Sequence, residues 1–506
     1  MDQLSPQDAQ FLYMESEGSR THLTSISIFD QSTVPNGEIV RFKDILDHVD
    51  SRLHMSPLFK RRLVRVPLEL DFPYWVDDEH FDLEYHVRHG RLPEPADWRQ
   101  FCIHMARYHS RPLDMDRPLW EMYVVEGLDN VDWLPKGSYA IATKIHHAAA
   151  DGKALVDFFA ALADIDNKGT PAVPSSMAKL RRSPEPTMLE MGVRAAWHTV
   201  RSPIGMTDAV MRSLPSVYRA AQNLLSSRDD DKQRVPNTRF NGSVSPHKMF
   251  GARAFRLDDF KAIRAAVPDC TINDVVLAVC GGALRKYLDK HEELPGKSLL
   301  AWVPINARQA NVDDTGTGGN NVTSMTAPIY TQVADPVERL QLIQAATKRS
   351  KAARAGVSAR LMTDLSQHVP AATQVLAGRL VLRAGMASRA CNLFISNVPG
   401  PQLPLYMTGA LQVGAYGLAP LVHGMGLFIA TPSYNGEITF NVTSTRELLP
   451  DVEFFMDCIT AEVDALKKAA LPKPRPKAKA KPKAAKKKKK TARKKKVAKK
   501  KTAASA

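Results

Sequence analysis

Residues 146–152 read His146-His147-Ala148-Ala149-Ala150-Asp151-Gly152. An imidazole titrates near neutral pH, so a histidine held here can take a proton from a hydroxyl or thiol as that group attacks a carbonyl. Neighbouring residues of a strand point to opposite faces, so one of the pair can face a channel while the other packs. The three alanines let the backbone turn closely, Asp151 is placed to cap a following helix, and Gly152 permits a tight turn. The competing reading is a satisfied core histidine beside an ordinary helix cap. The sequence contains no G-x-S-x-G nucleophile elbow, so a covalent acyl-enzyme has no obvious carrier, and direct transfer between two bound substrates is the simpler chemistry. There is also no dinucleotide fingerprint, Walker motif or H-E-x-x-H pair, and the remaining histidines lack metal spacing.

The elements around the motif can place it. Residues 138–145 read as a strand, and 153–162 as an amphipathic helix carrying Leu155, Phe158, Phe159 and Leu162. A strand end opening into a helix is a common position for sites in α/β folds. Two Pro/Asp-rich stretches, 164–186 and 228–246, bracket helical text broken at Pro203 and Pro215, which predicts a connector between two domains. Strands and helices resume near Phe250. A helix is expected over 258–266, a second over 271–288 with Thr271 as cap, and a buried strand over 299–305. Residues 391–436 hold no Asp, Glu, Lys or Arg but seven glycines and five prolines, so they read as short uncharged strands such as 393–396 and 427–430. They form either a buried floor for the second domain or, in part, the lining of an apolar tunnel.

Composition narrows the class. At 506 residues, two domains are the natural expectation, and 44% hydrophobic with 24% charged is ordinary globular usage. The net charge of +16 is unevenly spread. Residues 467–506 hold 20 of the 69 basic side chains and no acidic one, which leaves 49 basic against 53 acidic, a net of −4, for the rest. The body therefore gives no reason to expect nucleic-acid binding. The Lys/Ala/Pro tail is expected to be disordered, binding an anionic membrane, polyphosphate or nucleic acid, or serving only as a solvated end. No run of 18 or more apolar residues is present and no basic-then-apolar leader follows Met1. The five scattered cysteines read as reduced thiols of the cytoplasm.

Further motifs run through the chain in a fixed order. They are Leu4-Ser5-Pro6-Gln7-Asp8-Ala9-Gln10-Phe11-Leu12 ending in Glu15, Ser56-Pro57 with Arg61-Arg62, Trp75-Val76, Phe81-Asp82-Leu83, and Arg117-Pro118-Leu119-Trp120-Glu121. After the histidines come Asn241-Gly242, Asn273-Asp274, Val303-Pro304 with Arg308, Gly319-Asn320, Ser396-Asn397-Val398-Pro399-Gly400-Pro401, Tyr406-Met407, and Ser433-Tyr434-Asn435-Gly436. With these blocks the chain, over about residues 1–466, resembles the bacterial wax ester synthase/diacylglycerol acyltransferase family. That family is related to chloramphenicol acetyltransferase and the other HHxxxDG acyl-CoA transferases. Three departures stand out: Ala307 where a serine usually precedes the arginine, no aspartate in 441–446, and the Lys/Ala/Pro tail.

The resemblance implies an α/β (α+β) fold of two chloramphenicol-acetyltransferase-like domains. Residues 1–186 would form the domain carrying the histidines, 187–246 the helical connector, 247–466 the second domain, and 467–506 the disordered basic tail. The implied activity moves a long-chain acyl group from acyl-CoA to the hydroxyl of diacylglycerol, of a fatty alcohol, or of both. Acyl-CoA is then a substrate, and no cofactor or metal is implied. His147 would be the general base, His146 a support of the loop, Asp151 an orienting group with Arg308 as salt-bridge partner, and Gly152 the turn. Asn273 is either an oxyanion or substrate-positioning donor or a helix-start residue bonded to backbone. Ser396 and Asn397 would lie beside the substrates, and Trp120 in the core. The expected location is cytoplasmic, peripheral at the inner membrane or at lipid inclusions, with the tail on an anionic surface and nucleic acid as its other partner. The alternative reading is a non-catalytic lipid-droplet or membrane-associated binding protein of the same fold.

Overall fold

The computed structural model describes residues 2–149, 158–169, 186–197, 235–306, 322–354 and 391–471. Asp151, Gly152, Arg308, residues 198–234 of the expected connector and residues 472–506 lie outside the described residues, whereas 467–470, expected to begin the disordered tail, form the end of a helix.

Two mixed six-stranded sheets carry the chain. In chain order the strands are β1 (Asp2–Gln3), β2 (His22–Asp30), β3 (Arg61–Val64), β4 (Tyr74–Asp77), β5 (Val87–Arg91), β6 (Trp120–Glu126) and β7 (Tyr139–His146). They continue as β8 (Lys248–Arg256), β9 (Leu300–Asn306), β10 (Val322–Pro328), β11 (Leu393–Pro399), β12 (Tyr406–Met407), β13 (Ala410–Leu418), β14 (Phe428–Tyr434) and β15 (Glu437–Thr445). The first large sheet has the order β12-β13-β2-β7-β6-β5, the second β10-β9-β11-β14-β15-β8, and β1, β4 and β3 form a small third sheet. The helices used below are α1 (Pro6–Tyr13), α2 (Phe42–Arg52), α3 (Leu83–His86), α4 (Trp98–Ser110), α5 (Leu257–Ala266), α6 (Ile272–Lys290), α7 (Pro336–Arg354) and α8 (Val452–Ala470).

The second half matches its sequence pattern closely. Helix α6 starts where Thr271 accepts from the Asp274 amide while the Asp274 carboxylate takes the Thr271 amide, a reciprocal cap. Its buried face, from Val275 to Leu288, packs with α5, α7 and α8 against one face of the second sheet, where Ile395, Ile429 and Phe440 stand.

One strand departs from the expected division of the chain. β13 lies in the uncharged stretch of the second half, yet it pairs with β2 of the first sheet, Leu411 opposite Asp30 through Leu418 opposite Thr24. Boundaries drawn at 1–186 and 247–466 therefore do not separate the two sheets. Residues 391–436 are not one floor: β11 and β14 belong to the second sheet, and β12 and β13 to the first. The crossover is held by side chains on the far face of β15. Asn441 Oδ1 accepts from the Gly417 amide at 3.1 Å, Thr443 Oγ1 from the Ala419 amide at 3.2 Å, and Thr439 donates to the Ala415 carbonyl at 3.0 Å. A cluster containing Ile26, Ile28, Phe101, Met105, Phe250, Ala252, Tyr416 and Leu418 draws on both halves and closes the seam under α4.

β7 is the strand that carries the histidines. All eight of its residues are buried. Tyr139, Ile141 and Ile145 enter the core beside Phe59, Trp120 and Phe158, whereas Ala140 and Ala142 face the cluster under α4. Trp120 is fully buried and donates its indole N–H to the Phe59 carbonyl at 3.0 Å, so it is a core residue. Past His146 the strand ends in a turn closed by the Ala149 amide on the His146 carbonyl. Helical backbone is present again over 158–162.

Candidate active site

His146 and His147 stand where the strand turns, and their surroundings come from the first 21 residues. Ser5 caps α1 by accepting from the Asp8 amide, and Pro6 at the first helical position suits that start. Five residues after Pro6, Phe11 lies flat on the His147 ring, with centroids 4.0 Å apart and planes 14° off parallel. The chain leaves α1 into a tight loop closed by two reciprocal backbone bonds between Ser16 and Ser19, each 3.1 Å. It then returns through Thr21 into β2, whose first residue, His22, pairs with His146.

Every polar atom of the His146 ring is used. Its Nδ1 accepts from the Ala148 amide at 3.1 Å, so the proton sits on Nε2. That N–H points to Thr21 Oγ1 at 3.2 Å and to Glu15 Oε1 at 3.4 Å. The Thr21 hydroxyl donates to the Phe11 carbonyl at 2.8 Å. Glu15 also accepts from the Thr21 amide at 2.9 Å and pairs with Arg20 at 3.6 Å. Burial by itself would raise the Glu15 carboxyl, but the bonds from His146 and Thr21 and the charge of Arg20 hold it down to about 2, so it is ionised at neutral pH. His146 is thus a fixed brace with no free nitrogen.

His147 differs. Its amide donates to the Thr21 carbonyl at 3.0 Å, which fixes the backbone. Its ring Nδ1 is enclosed without a side-chain partner. Burial pushes the imidazole down to about 4, against the pull of its own backbone and with a small further lowering from His146. At pH 7 the ring is therefore neutral and able to accept a proton.

Behind the pair lies a polar interior that the sequence did not announce. His22 and His109 are both buried, with the His22 Nε2 on the His109 carbonyl at 2.6 Å and Thr24 Oγ1 at the His109 Nδ1 at 2.8 Å. Burial drives both imidazoles down, His109 to about 3. Lys144, on the same strand as the histidines, is fully buried and donates to the Arg111 carbonyl at 3.0 Å and to Glu121 at 3.2 Å. A buried charge needs such partners.

The other expected site residues are placed less tightly. Asn273 lies in the first turn of α6, half-buried, and its side chain makes no hydrogen bond among the described residues. The cap there is made by Thr271 and Asp274, and Thr347 donates to the other Asp274 oxygen at 2.7 Å. Ser396 and Asn397 are half-buried on β11 opposite Ala430 and Thr431. The Ser396 carbonyl accepts from Thr431 at 3.2 Å. None of the three is joined by a hydrogen bond to the His146–His147 turn among the described residues. Phe11, Glu15 and Thr21 were not singled out as site residues from sequence. The block that ends in Glu15 was the signal that could have found two of them.

The fold is two mixed six-stranded sheets tied by β13, which crosses from the second half of the chain into the first sheet, with His147 in the turn just after β7. Residues 4–276 match the wax ester synthase/diacylglycerol acyltransferase catalytic domain, and residues 318–467 the C-terminal domain of the same family. The chain belongs to that family, and it is an acyltransferase. A Mycobacterium tuberculosis protein named for diacylglycerol O-acyltransferase activity is 31% identical over 458 residues, covering 89% of this chain and 87% of that protein. The solved wax ester synthase/diacylglycerol acyltransferase of Marinobacter aquaeolei VT8 superposes with a TM-score of 0.65 at 25% identity, covering 92% of this chain and 99% of that one. A trichothecene 15-O-acetyltransferase of Fusarium sporotrichioides shares the fold, with a TM-score of 0.54 at 12% identity over 92% of this chain and 95% of that one. No described helix is long and apolar enough to cross a membrane.

Proposed function

We propose that the protein transfers a long-chain acyl group from acyl-CoA to the hydroxyl of diacylglycerol or of a fatty alcohol, with His147 as the general base. The observation that carries this reading is the state of the His147 ring: neutral at pH 7, stacked flat on Phe11, and closed off at Nδ1. With Nδ1 enclosed, Nε2 is the atom that meets the acceptor. It takes the hydroxyl proton as the oxygen attacks the thioester carbonyl. The C–O bond forms, the tetrahedral intermediate collapses, the C–S bond breaks, and the same proton passes to the departing CoA sulfur. No covalent enzyme intermediate is required. The relatives named for diacylglycerol O-acyltransferase activity and the Marinobacter enzyme support both acceptor classes.

Asp151, Gly152 and Arg308 keep the roles expected for them: Asp151 orients the turn against Arg308, and Gly152 shapes it. Asn273 remains either a donor to the substrates or a helix-start residue, and Ser396 and Asn397 substrate neighbours. The 18 basic residues of 472–506 supply a cation cluster that holds the enzyme at an anionic lipid surface, where its substrates reside. The test is direct. Purified protein is incubated with labelled palmitoyl-CoA and with diacylglycerol or hexadecanol, and the neutral lipids are separated. Label in triacylglycerol or wax ester supports the reading. Label in neither, with acyl-CoA intact, overturns it.

A further inference from the structure

The loop 15–21 that cradles the two histidines is fastened on its other side to the second half of the chain. We infer that His423 is a positioning residue for acyl transfer, a bridge through which the second half holds that loop, and with it His147, in place. This rests on His147 being the base.

Both nitrogens of His423 are engaged. Nδ1 accepts from the Val244 amide at 3.1 Å, and Nε2 meets Ser16 Oγ at 3.0 Å. Because a backbone N–H must donate, Nδ1 carries no proton, and the neutral ring donates from Nε2 to Ser16. Next to this bond, Ser19 donates to the Leu421 carbonyl at 2.6 Å, and Lys248 of β8 donates to the Gly18 carbonyl at 2.6 Å and to Ser245 at 3.0 Å. The fit leaves no slack: a Cβ on Gly18 would lie 2.1 Å from the Val244 carbonyl oxygen. From Ser16 the path to the base is short and continuous. Ser16 adjoins Glu15, Glu15 holds the Thr21 amide and His146, and the Thr21 carbonyl holds the His147 amide.

The bridge works only with a neutral imidazole. A proton on Nδ1 would face the Val244 N–H and break that bond. Burial and the Lys248 ammonium both lower the His423 pKa, which keeps the ring neutral at pH 7. The other charges around the seam are accounted for. Lys248, itself pushed by burial down to about 7, feels Glu447, and in the loop Glu15 is paired with Arg20. As pH falls, two protonations therefore disable the enzyme: one on the base, one on the bridge.

The experiment compares His423→Phe, His423→Asn and Ser16→Ala with wild type and with His147→Ala. Turnover, KM for acyl-CoA, the pH profile of kcat/KM and the melting temperature are measured on the full chain. Misplacing a reacting group by about 1 Å costs on the order of 100-fold. His423→Phe should lower kcat by about 10- to 100-fold with KM little changed. His423→Asn keeps an acceptor for the Val244 amide and should recover most of the loss. With one titrating imidazole fewer, its acid limb should be set by His147 alone and lie no higher in pH than that of wild type. Ser16→Ala removes one hydroxyl and should cost a few-fold in kcat without loss of fold. Wild-type kcat in His423→Phe and Ser16→Ala overturns the inference, as does an equal loss in His423→Phe and His423→Asn with the acid limb unmoved. A dead His147→Ala beside fully active His423 variants refutes the bridge alone. An active His147→Ala refutes the base on which it rests.

Discussion

Replacing Phe11 by alanine removes one wall of the His147 pocket and leaves every hydrogen bond around it intact. The ring lies 4.0 Å from the imidazole, and burial is the main cause that brings His147 down to about 4 from an ordinary value of 6.5. Complete release of that burial would be worth roughly 3 kcal/mol, at ~1.4 kcal/mol per pH unit. Phe11 is one of several walls, so a rise on the order of one pH unit is expected. The lost stacking adds about 0.5–1.5 kcal/mol of instability. The assay is kcat/KM for acyl-CoA between pH 4 and 8, because that ratio reports the free enzyme's base. The acid limb should move to higher pH in Phe11→Ala, and Phe11→Leu, which keeps an apolar cover, should lie between Phe11→Ala and wild type. An acid limb that stays in place while turnover falls would mean that Phe11 acts only as scaffold, and that burial by this ring does not set the base.

Three other outcomes follow, two from the geometry of the site and one from the charge of the C-terminal segment. Glu15→Gln keeps an acceptor but removes the charge facing the His146 N–H, and should lower kcat about 10-fold and the melting temperature by several degrees, read by turnover and thermal melting; breaking buried pairs costs up to ~3–5 kcal/mol. Stability should fall on acidification. His147 and His109 have folded values of about 4 and about 3, below the ordinary 6.5, so their contribution is complete above 6.5 and is lost as pH drops toward those values. Glu15, held at about 2, loses its contribution in the same direction at still lower pH. Urea titrations at pH 7.5 and 4.5 should show the difference, and His109→Gln should shrink it. Truncation after Leu471 should leave turnover on detergent-dispersed substrate near wild type while abolishing salt-sensitive binding to anionic liposomes; unchanged liposome binding would remove the tail from that role.

Much of the second half was legible because its signals are local. The Thr271 cap, the helix after it and the strand near 299–305 follow from cap chemistry and apolar periodicity, and each lies within two residues of its expected bounds. β13 was not, because alternation marks a strand without naming its partner, and its register with β2 spans some 380 residues of sequence. At the site, the His146–His147 turn stood out by residue type. The Glu15 brace did not, since a carboxylate 131 positions from its histidine carries no spacing signal. The same holds for His423 and Ser16, which meet across 407 positions. Phe11 was visible only as part of the block that ends in Glu15, which carries no sign of its stacking on His147.

The central claim is that a neutral His147 accepts the proton of the attacking hydroxyl. The most direct measurement is single-turnover acyl transfer from labelled palmitoyl-CoA to diacylglycerol by wild type and by His147→Ala, each checked for fold by circular dichroism and melting. A positioned base contributes about 10²–10⁴-fold. The account predicts a folded His147→Ala slower by that factor, with acyl-CoA still bound and no labelled protein trapped. A folded His147→Ala that transfers at the wild-type rate, or a labelled acyl-enzyme isolated from wild type, would contradict it.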